Sequence, residues 1–302
     1  MTLVLGYIEE IKDTIDYGGG PEKETTRIAI HCMSDSIVSN STSPLYSLCP
    51  KTITMNISYK EPHWDHSQHR GPDTIRHCNN ICLSFAGSSL MALSSYAMFL
   101  LYTQNLYRHE QCNADGQIEY FVDHETQYEI PDIGDEPFLA SPECHLSIEN
   151  LASILQKIIQ EISTNHIQTN NAIYEGFSAH TYSCETLISG YCGVEKDFVM
   201  FYLHPEITEP DENGNRSITI NKTRIEKNQL IILGSSGAHE QVQQSFNKGI
   251  SDGNAPSQTM LSILNNHIND KDIPGIGGEV LYYRAAEGFR TGNNFDKVTL
   301  SS

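Results

Sequence analysis

What most limits the fold of this chain is the order in which its apolar runs occur. Three strand-like runs come first, at residues 2–8, 26–33 and 51–58, separated by loops rich in Gly, Pro, Ser and Asp. A short buried strand at 81–85 then passes through Ala86-Gly87-Ser88 into a helical stretch from about 89 to 107. Apolar residues cover too much of that helix's circumference for a surface helix, so it is expected to be sandwiched. A second helix at 147–166 carries Leu151, Ile154, Leu155, Ile158, Ile159 and Ile162 at helical spacing. Strand-like runs follow at 181–190, 198–204, 217–221 and 229–233, then helices at 239–248 and 256–268, and a last strand at 278–285. Two antiparallel sheets stacked face to face, each covered on its outer side by a helix pair, would bury all these faces. The expectation is therefore an α+β fold, a four-layer αββα sandwich, built as a single domain over residues 1–302. Residues 11–25, centred on Gly18-Gly19-Gly20-Pro21, read as a long connection, and residues 59–80 and 108–146 as polar or acidic insertions.

Composition excludes several classes of partner. Nineteen Lys plus Arg against 38 Asp plus Glu give a net charge of -19, which repels phosphate backbones and anionic membranes. No nucleic acid and no membrane is expected as a partner. The longest apolar stretch, 90–102, is too short to span a bilayer, and the N-terminus lacks a signal-peptide layout. Eight cysteines are scattered without a CxxC pair, as expected for reduced, mostly buried thiols in a cytoplasmic protein.

The chemistry centres on Thr2, directly behind Met1 and at the head of Leu3-Val4-Leu5-Gly6-Tyr7-Ile8. Once Met1 is trimmed, the residue would carry both a nucleophilic hydroxyl and an α-amine with an ordinary pKa near ~8 to accept its proton. Read without neighbours, Thr2 is only a small second residue. Asp35 and Lys51, taken alone, read as surface charges; brought beside Thr2, the ammonium would hold the amine neutral and the carboxylate would keep the lysine charged and aimed.

In these residues the chain resembles the proteasome-type N-terminal nucleophile hydrolases, including the bacterial HslV and Anbu peptidases. The match is Thr2 opening the first strand, Asp35 ending the second, and Lys51 sixteen residues later opening the next. Cys82-Leu83-Ser84-Phe85-Ala86-Gly87-Ser88 resembles the family's strand-to-helix junction, where the Gly87 N–H would face the oxyanion. Ile231-Ile232-Leu233-Gly234-Ser235-Ser236-Gly237 resembles its Gly-Ser-Gly turn. Ser236, with Ser235 as the alternative, matches the serine that relays the amine's proton, and a helix cap would look the same. Val38, Cys49, Ile53, Phe85 and Ser89 fall near the family's specificity-pocket positions. The resemblance implies a threonine endopeptidase that needs no cofactor, acts on peptides or unfolded protein, and assembles as a homo-oligomer. An ATPase unfoldase is left open.

Two features depart from the family. Asp272-Ile273-Pro274-Gly275-Ile276-Gly277-Gly278 has Ile276 where a supporting Ser is usual, and Ile37 replaces a common Arg. A catalytically silent structural subunit and a small-molecule amidase or acylase therefore stand as alternatives. Thr25-Thr26 as a rival mature start is rejected, because only ten residues separate Thr25 from Asp35, too few for two strands and a turn. The His63, Asp65, His66, His69 and His77 cluster matches no metal-ligand spacing and reads as incidental, so no metal is expected.

Overall fold

A computed structural model describes residues 2–15, 23–36, 38–39, 44–46, 50–61, 64–65, 68–69, 74–104, 106–112, 118–124, 146–171, 183–208, 217–234, 236–270, 276–286 and 296–298. The long strands are β1 (Leu3–Ile15), β2 (Lys23–Ser34), β5 (Thr52–Glu61) and β8 (Thr74–Gly87). Between them lie four short strands, β3 (Val38–Ser39), β4 (Pro44–Tyr46), β6 (Trp64–Asp65) and β7 (Gln68–His69). Helix α1 (Ser89–Gln104), the hairpin β9 (Leu106–Cys112) and β10 (Ile118–His124), and helix α2 (Ile148–Asn171) come next. Strands β11 (Cys184–Cys192), β12 (Asp197–Ile207), β13 (Ile218–Arg224) and β14 (Leu230–Gly234) are followed by helices α3 (Ser236–Ser251) and α4 (Pro256–Asn269). Strands β15 (Leu281–Ala286) and β16 (Asp296–Lys297) close the chain.

Among the described residues these elements form an α+β fold of two large sheets and four helices. One sheet runs β14-β1-β2-β15-β16 and the other β10-β9-β5-β8-β11-β12-β13. Pairing is antiparallel except for one parallel bridge, Lys60 to Tyr107, between β5 and β9. Strand alternation explains the layers. Leu3, Leu5 and Tyr7 of β1 pack with Val242, Phe246, Met260 and Leu264 under α3 and α4. Val4 and Ile8 point the other way, into a layer with Leu187, Phe198 and Met200 of the second sheet. That sheet's outer face packs Leu83, Ile188 and Phe201 against Phe99 of α1 and Leu151, Leu155 and Ile159 of α2. Both faces of the central strands are thus buried, which is why they read as nearly continuous apolar runs. The sheets approach closely at Gly6, since a Cβ there would lie 2.7 Å from Leu187 Cδ1.

Several local expectations change. Residues 11–25 are not one long connection: β1 and β2 continue their pairing to Ile15 opposite Lys23, leaving 16–22 outside the described residues. The 59–80 insertion largely extends the hairpin of β5 and β8, as far as Glu61 opposite Thr74, and 108–146 contains most of β9 and β10. In each case a polar strand end gains its pairing from the opposite arm of its own hairpin, which local composition does not show. Nor is α1 fully sandwiched. It buries Met91, Ala92, Ser95, Phe99, Tyr102 and Thr103 but leaves Leu90, Leu93 and Leu101 more than half exposed. Among the described residues no helix is long and apolar enough to cross a membrane.

Candidate active site

Asp35 organises the region. It follows the last residue of β2 and has no solvent exposure. Its Oδ2 accepts the Lys51 Nζ at 2.8 Å, its Oδ1 accepts the Leu3 N–H at 2.9 Å, and the Gly277 N–H reaches Oδ2 at 3.3 Å. The Asp35 N–H donates back to the Leu3 carbonyl at 3.2 Å. One carboxylate therefore joins three segments, and one of them begins immediately after Thr2. Burial pushes the Asp35 carboxyl above the ordinary carboxylate range, while the Lys51 ammonium and the two amides pull it back.

Lys51 stands just before β5 and is also buried. Its carbonyl accepts the Phe85 N–H at 2.8 Å, which ties it to β8 two residues ahead of Gly87. Next to the ion pair, hydroxyls from both sheets meet: Thr52 Oγ1 donates to Ser34 Oγ at 2.9 Å and lies 3.0 Å from Ser84 Oγ. Sequence reasoning passed over these three residues. Each sits at a strand position that alternation turns into the inter-sheet layer, Ser34 next to Asp35, Thr52 next to Lys51 and Ser84 next to Phe85, and that was the available signal.

Thr2 is buried, with 8% of its surface exposed, at the mouth of this layer. Gly234, paired with Leu3, lies against it: a Cβ at Gly234 would come 1.9 Å from the Thr2 carbonyl oxygen and 3.4 Å from Ala86 Cβ. Gly234 also has φ +97°, where a side chain is strained, so only glycine suits this position. Gly87, at φ +99°, pairs with Cys184 and ends β8 at the start of α1. Ser88 follows as a helix start, its N–H donating to the Ser183 carbonyl and its Oγ accepting the Met91 N–H.

The structure thus brings Asp35, Lys51 and the chain beginning at Thr2 together, with Gly87 two residues beyond the contact to Lys51. Ser236 is exposed on the first turn of α3, two residues past Gly234, and Ser235 lies outside the described residues. The pocket positions divide. Phe85 is buried in the cluster under α1 and α2, and Ile53 packs against the same cluster. Ser89 is exposed at the start of α1, Val38 falls on β3, and Cys49 lies outside the described residues. Of the histidine-rich stretch, His63 and His66 lie outside them as well, while Asp65, His69 and His77 fall on β6, β7 and β8. Ile276 turns into the apolar cluster under α3 and α4, so it supplies no hydroxyl. The adjoining main chain supports the site instead: Gly277 donates to Asp35 and accepts the Ser36 N–H at 3.2 Å, and Ser36 Oγ accepts the Glu279 N–H at 2.8 Å.

No family model and no curated protein sequence matches this chain. Among solved structures the chain is similar to a Gly-1 mutant of Anbu from Hyphomicrobium sp. strain MC1, with a TM-score of 0.48 and 7% identity, covering 99% of this chain and 85% of that one. It is similar to Anbu (ancestral beta-subunit) from Yersinia bercovieri, with a TM-score of 0.46 and 9% identity, covering 99% and 87%. It is also similar to another Anbu structure from Hyphomicrobium sp. strain MC1, with a TM-score of 0.46 and 8% identity, covering 98% and 87%. At this identity and superposition the likeness carries no residue-by-residue correspondence.

Proposed function

We propose that this chain is an N-terminal threonine hydrolase that cleaves peptide bonds, with Thr2 as nucleophile after removal of Met1. The observation that carries the reading is the buried Lys51–Asp35 pair clamped to the Leu3 amide, one residue from Thr2. A lysine held in a dry site beside an N-terminal amine disfavours protonation of that amine, leaving it free to act as a base. In the proposed step the amine takes the hydroxyl proton, the oxygen attacks the carbonyl carbon, and Gly87 N–H supports the developing oxyanion. The amine's proton passes to the leaving nitrogen, and water then releases the acyl group. Ser236 is assigned to the proton relay, and Val38, Cys49 and Ser89 to the surroundings of the substrate side chain, whereas Phe85 lies in, and Ile53 packs against, the core beneath α1 and α2. Peptides or unfolded chains are the proposed substrates, in a cytoplasmic homo-oligomer of single-domain subunits.

A β-lactone that acylates terminal threonines, followed by intact-protein mass, tests this directly. The expected result is a chain lacking Met1 that gains one adduct, with none on Thr2→Ala. Retention of Met1, or no adduct on the trimmed chain, refutes the reading in favour of a silent subunit, the alternative that the buried Ile276 favours. Adduct formation without peptide turnover, but with turnover of small acyl amides, favours the amidase alternative.

A further inference from the structure

Glu185 is the one carboxylate of the second sheet whose side chain reaches the strand end lying against Thr2 in the described contacts. It sits on β11 opposite Ala86, whose Cβ also approaches Gly234. Its Oε2 accepts the Gly234 N–H at 2.6 Å, and its Oε1 accepts the Tyr202 hydroxyl of β12. Burial, followed by the adjacent Glu185, pushes the Tyr202 hydroxyl far above the ordinary phenol range, so it stays a donor. Both oxygens of the carboxylate are thereby used, one by each sheet.

We propose that Glu185 is a positioning residue of this site, a brace that fixes Gly234 against the Thr2 main chain from the opposite sheet. The proposal rests on the threonine-hydrolase reading. Among the described strands β14 lies at the edge of its sheet beside β1, so Gly234 needs a second hold if it is to define the place of Thr2. A hydrogen bond to a charged acceptor is roughly twice as strong as a neutral one and suits that task. A nucleophile displaced by about 1 Å loses on the order of 100-fold in rate. The unused alternative, a serine contributed from the last segment, is closed here by Ile276. Nothing in the short motifs around Thr2, Asp35, Lys51 and Gly87 points to residue 185, because its role arises only when the two sheets stack.

The test follows acylation of the Met1-free chain by the β-lactone over time, separating the first-order rate from the inhibitor's binding constant. Glu185→Ala is expected to lower the first-order rate about tenfold or more while the binding constant changes less than about threefold. Glu185→Gln keeps an acceptor for the Gly234 amide and a donor for the Tyr202 oxygen, and should stay within about threefold of the wild type. Should Glu185→Ala fail to fold, Tyr202→Phe frees one end of the brace and is expected to give a smaller loss in the same constant. A residue that only stabilised the fold would lower the melting temperature and leave the first-order rate of the folded protein unchanged. Hydrogen exchange at the Gly234 amide adds a readout that needs no chemistry and should quicken in Glu185→Ala. An adduct on the wild type with equal rates in Glu185→Ala overturns the brace alone. No adduct on the wild type overturns the hydrolase reading and the brace's catalytic role with it.

Discussion

Replacing Lys51 by methionine would remove the counter-charge from a carboxylate that has no exposure to water. Deleting one partner of a buried ion pair costs about 3–5 kcal/mol, because the remaining charge is left desolvated. Asp35 has two ways to lower that cost: it keeps the Leu3 and Gly277 amides, and it can take up a proton. Protonation costs about 1.4 kcal/mol for each pH unit by which the solution exceeds the carboxyl's pKa. Burial has already raised that pKa in the intact protein, and loss of the ammonium raises it further. The native state then binds a proton that the unfolded state releases, so the group's contribution to stability is fully present below the ordinary carboxylate pKa and is lost as pH rises through the folded value. This is the reverse of an ordinary salt-bridged aspartate. Lys51→Met should therefore lose about 3–5 kcal/mol at pH 8 and at least ~1 kcal/mol less at pH 5.5, read from urea midpoints by near-UV circular dichroism. The double variant Lys51→Met, Asp35→Asn keeps an acceptor for the Leu3 amide without the charge but turns an NH2 toward the Gly277 N–H, so it should recover part of the loss and abolish its pH dependence. Equal losses at both pH values, or a double variant no more stable than the single one, would refute this account of the pair.

Gly234→Ala should be far more damaging than an ordinary glycine replacement, because the new methyl would meet the Thr2 carbonyl at 1.9 Å and the backbone is at φ +97°. A loss of about 3 kcal/mol or more is expected in urea unfolding, together with loss of β-lactone reactivity. Glu9→Gln tests a second charged contact, between Glu9 Oε2 and His31 Nε2 at 2.8 Å, on a histidine whose Nδ1 meets the Tyr282 hydroxyl at 2.7 Å. The hydrogen bond to His31 holds the Glu9 carboxyl below its ordinary value, so its stabilisation is present above an unfolded pKa of about 4.3 and is lost as pH falls through the folded value. The variant should be about 1–2 kcal/mol less stable at neutral pH, with a shallower acid limb in its thermal melts.

The apolar half of the fold was legible because alternation and helical spacing are local. Val4 and Ile8 against Leu3, Leu5 and Tyr7 already assign two buried faces to β1, and Leu151, Leu155 and Ile159 define the core side of α2. The strand ends were not legible. Lys12 pairs with Thr26, and Lys60 with Ile75, through backbone bonds that polar side chains neither announce nor forbid. The exposed leucines of α1 escaped for the opposite reason: periodicity counts apolar residues without knowing whether a layer lies over them. At the site, Asp35 and Lys51 could be paired through the family resemblance. Ser34, Thr52 and Glu185 could not, since each bonds across the gap between sheets, and Ser84 and Tyr202 join them only as bonded neighbours on the second sheet.

The contrast between Ile276 and Gly277 bears on how a motif-level departure should be weighed. A missing serine counts against the site only if its hydroxyl is the sole means of holding the acid and the lysine in place. Here the side chain at 276 has gone to the core, where an isoleucine contributes about 1.5–3 kcal/mol by burial, and the neighbouring peptide has taken over contact with Asp35. A backbone amide is as good a donor to a carboxylate as a serine hydroxyl, and it is positioned by the chain itself through the Ser36 and Glu279 bonds. A serine can also move a proton, whereas an amide cannot. The substitution therefore removes a proton carrier while keeping the electrostatic support. On the proposed threonine-hydrolase reading, the step most exposed to that loss would be return of the amine's proton to the leaving nitrogen. Restoring the hydroxyl by Ile276→Ser would then raise the rate of peptide turnover while leaving inhibitor affinity unchanged, even though emptying the apolar site lowers the melting temperature. A variant whose turnover fell in step with its stability would show that the main chain had replaced the serine completely.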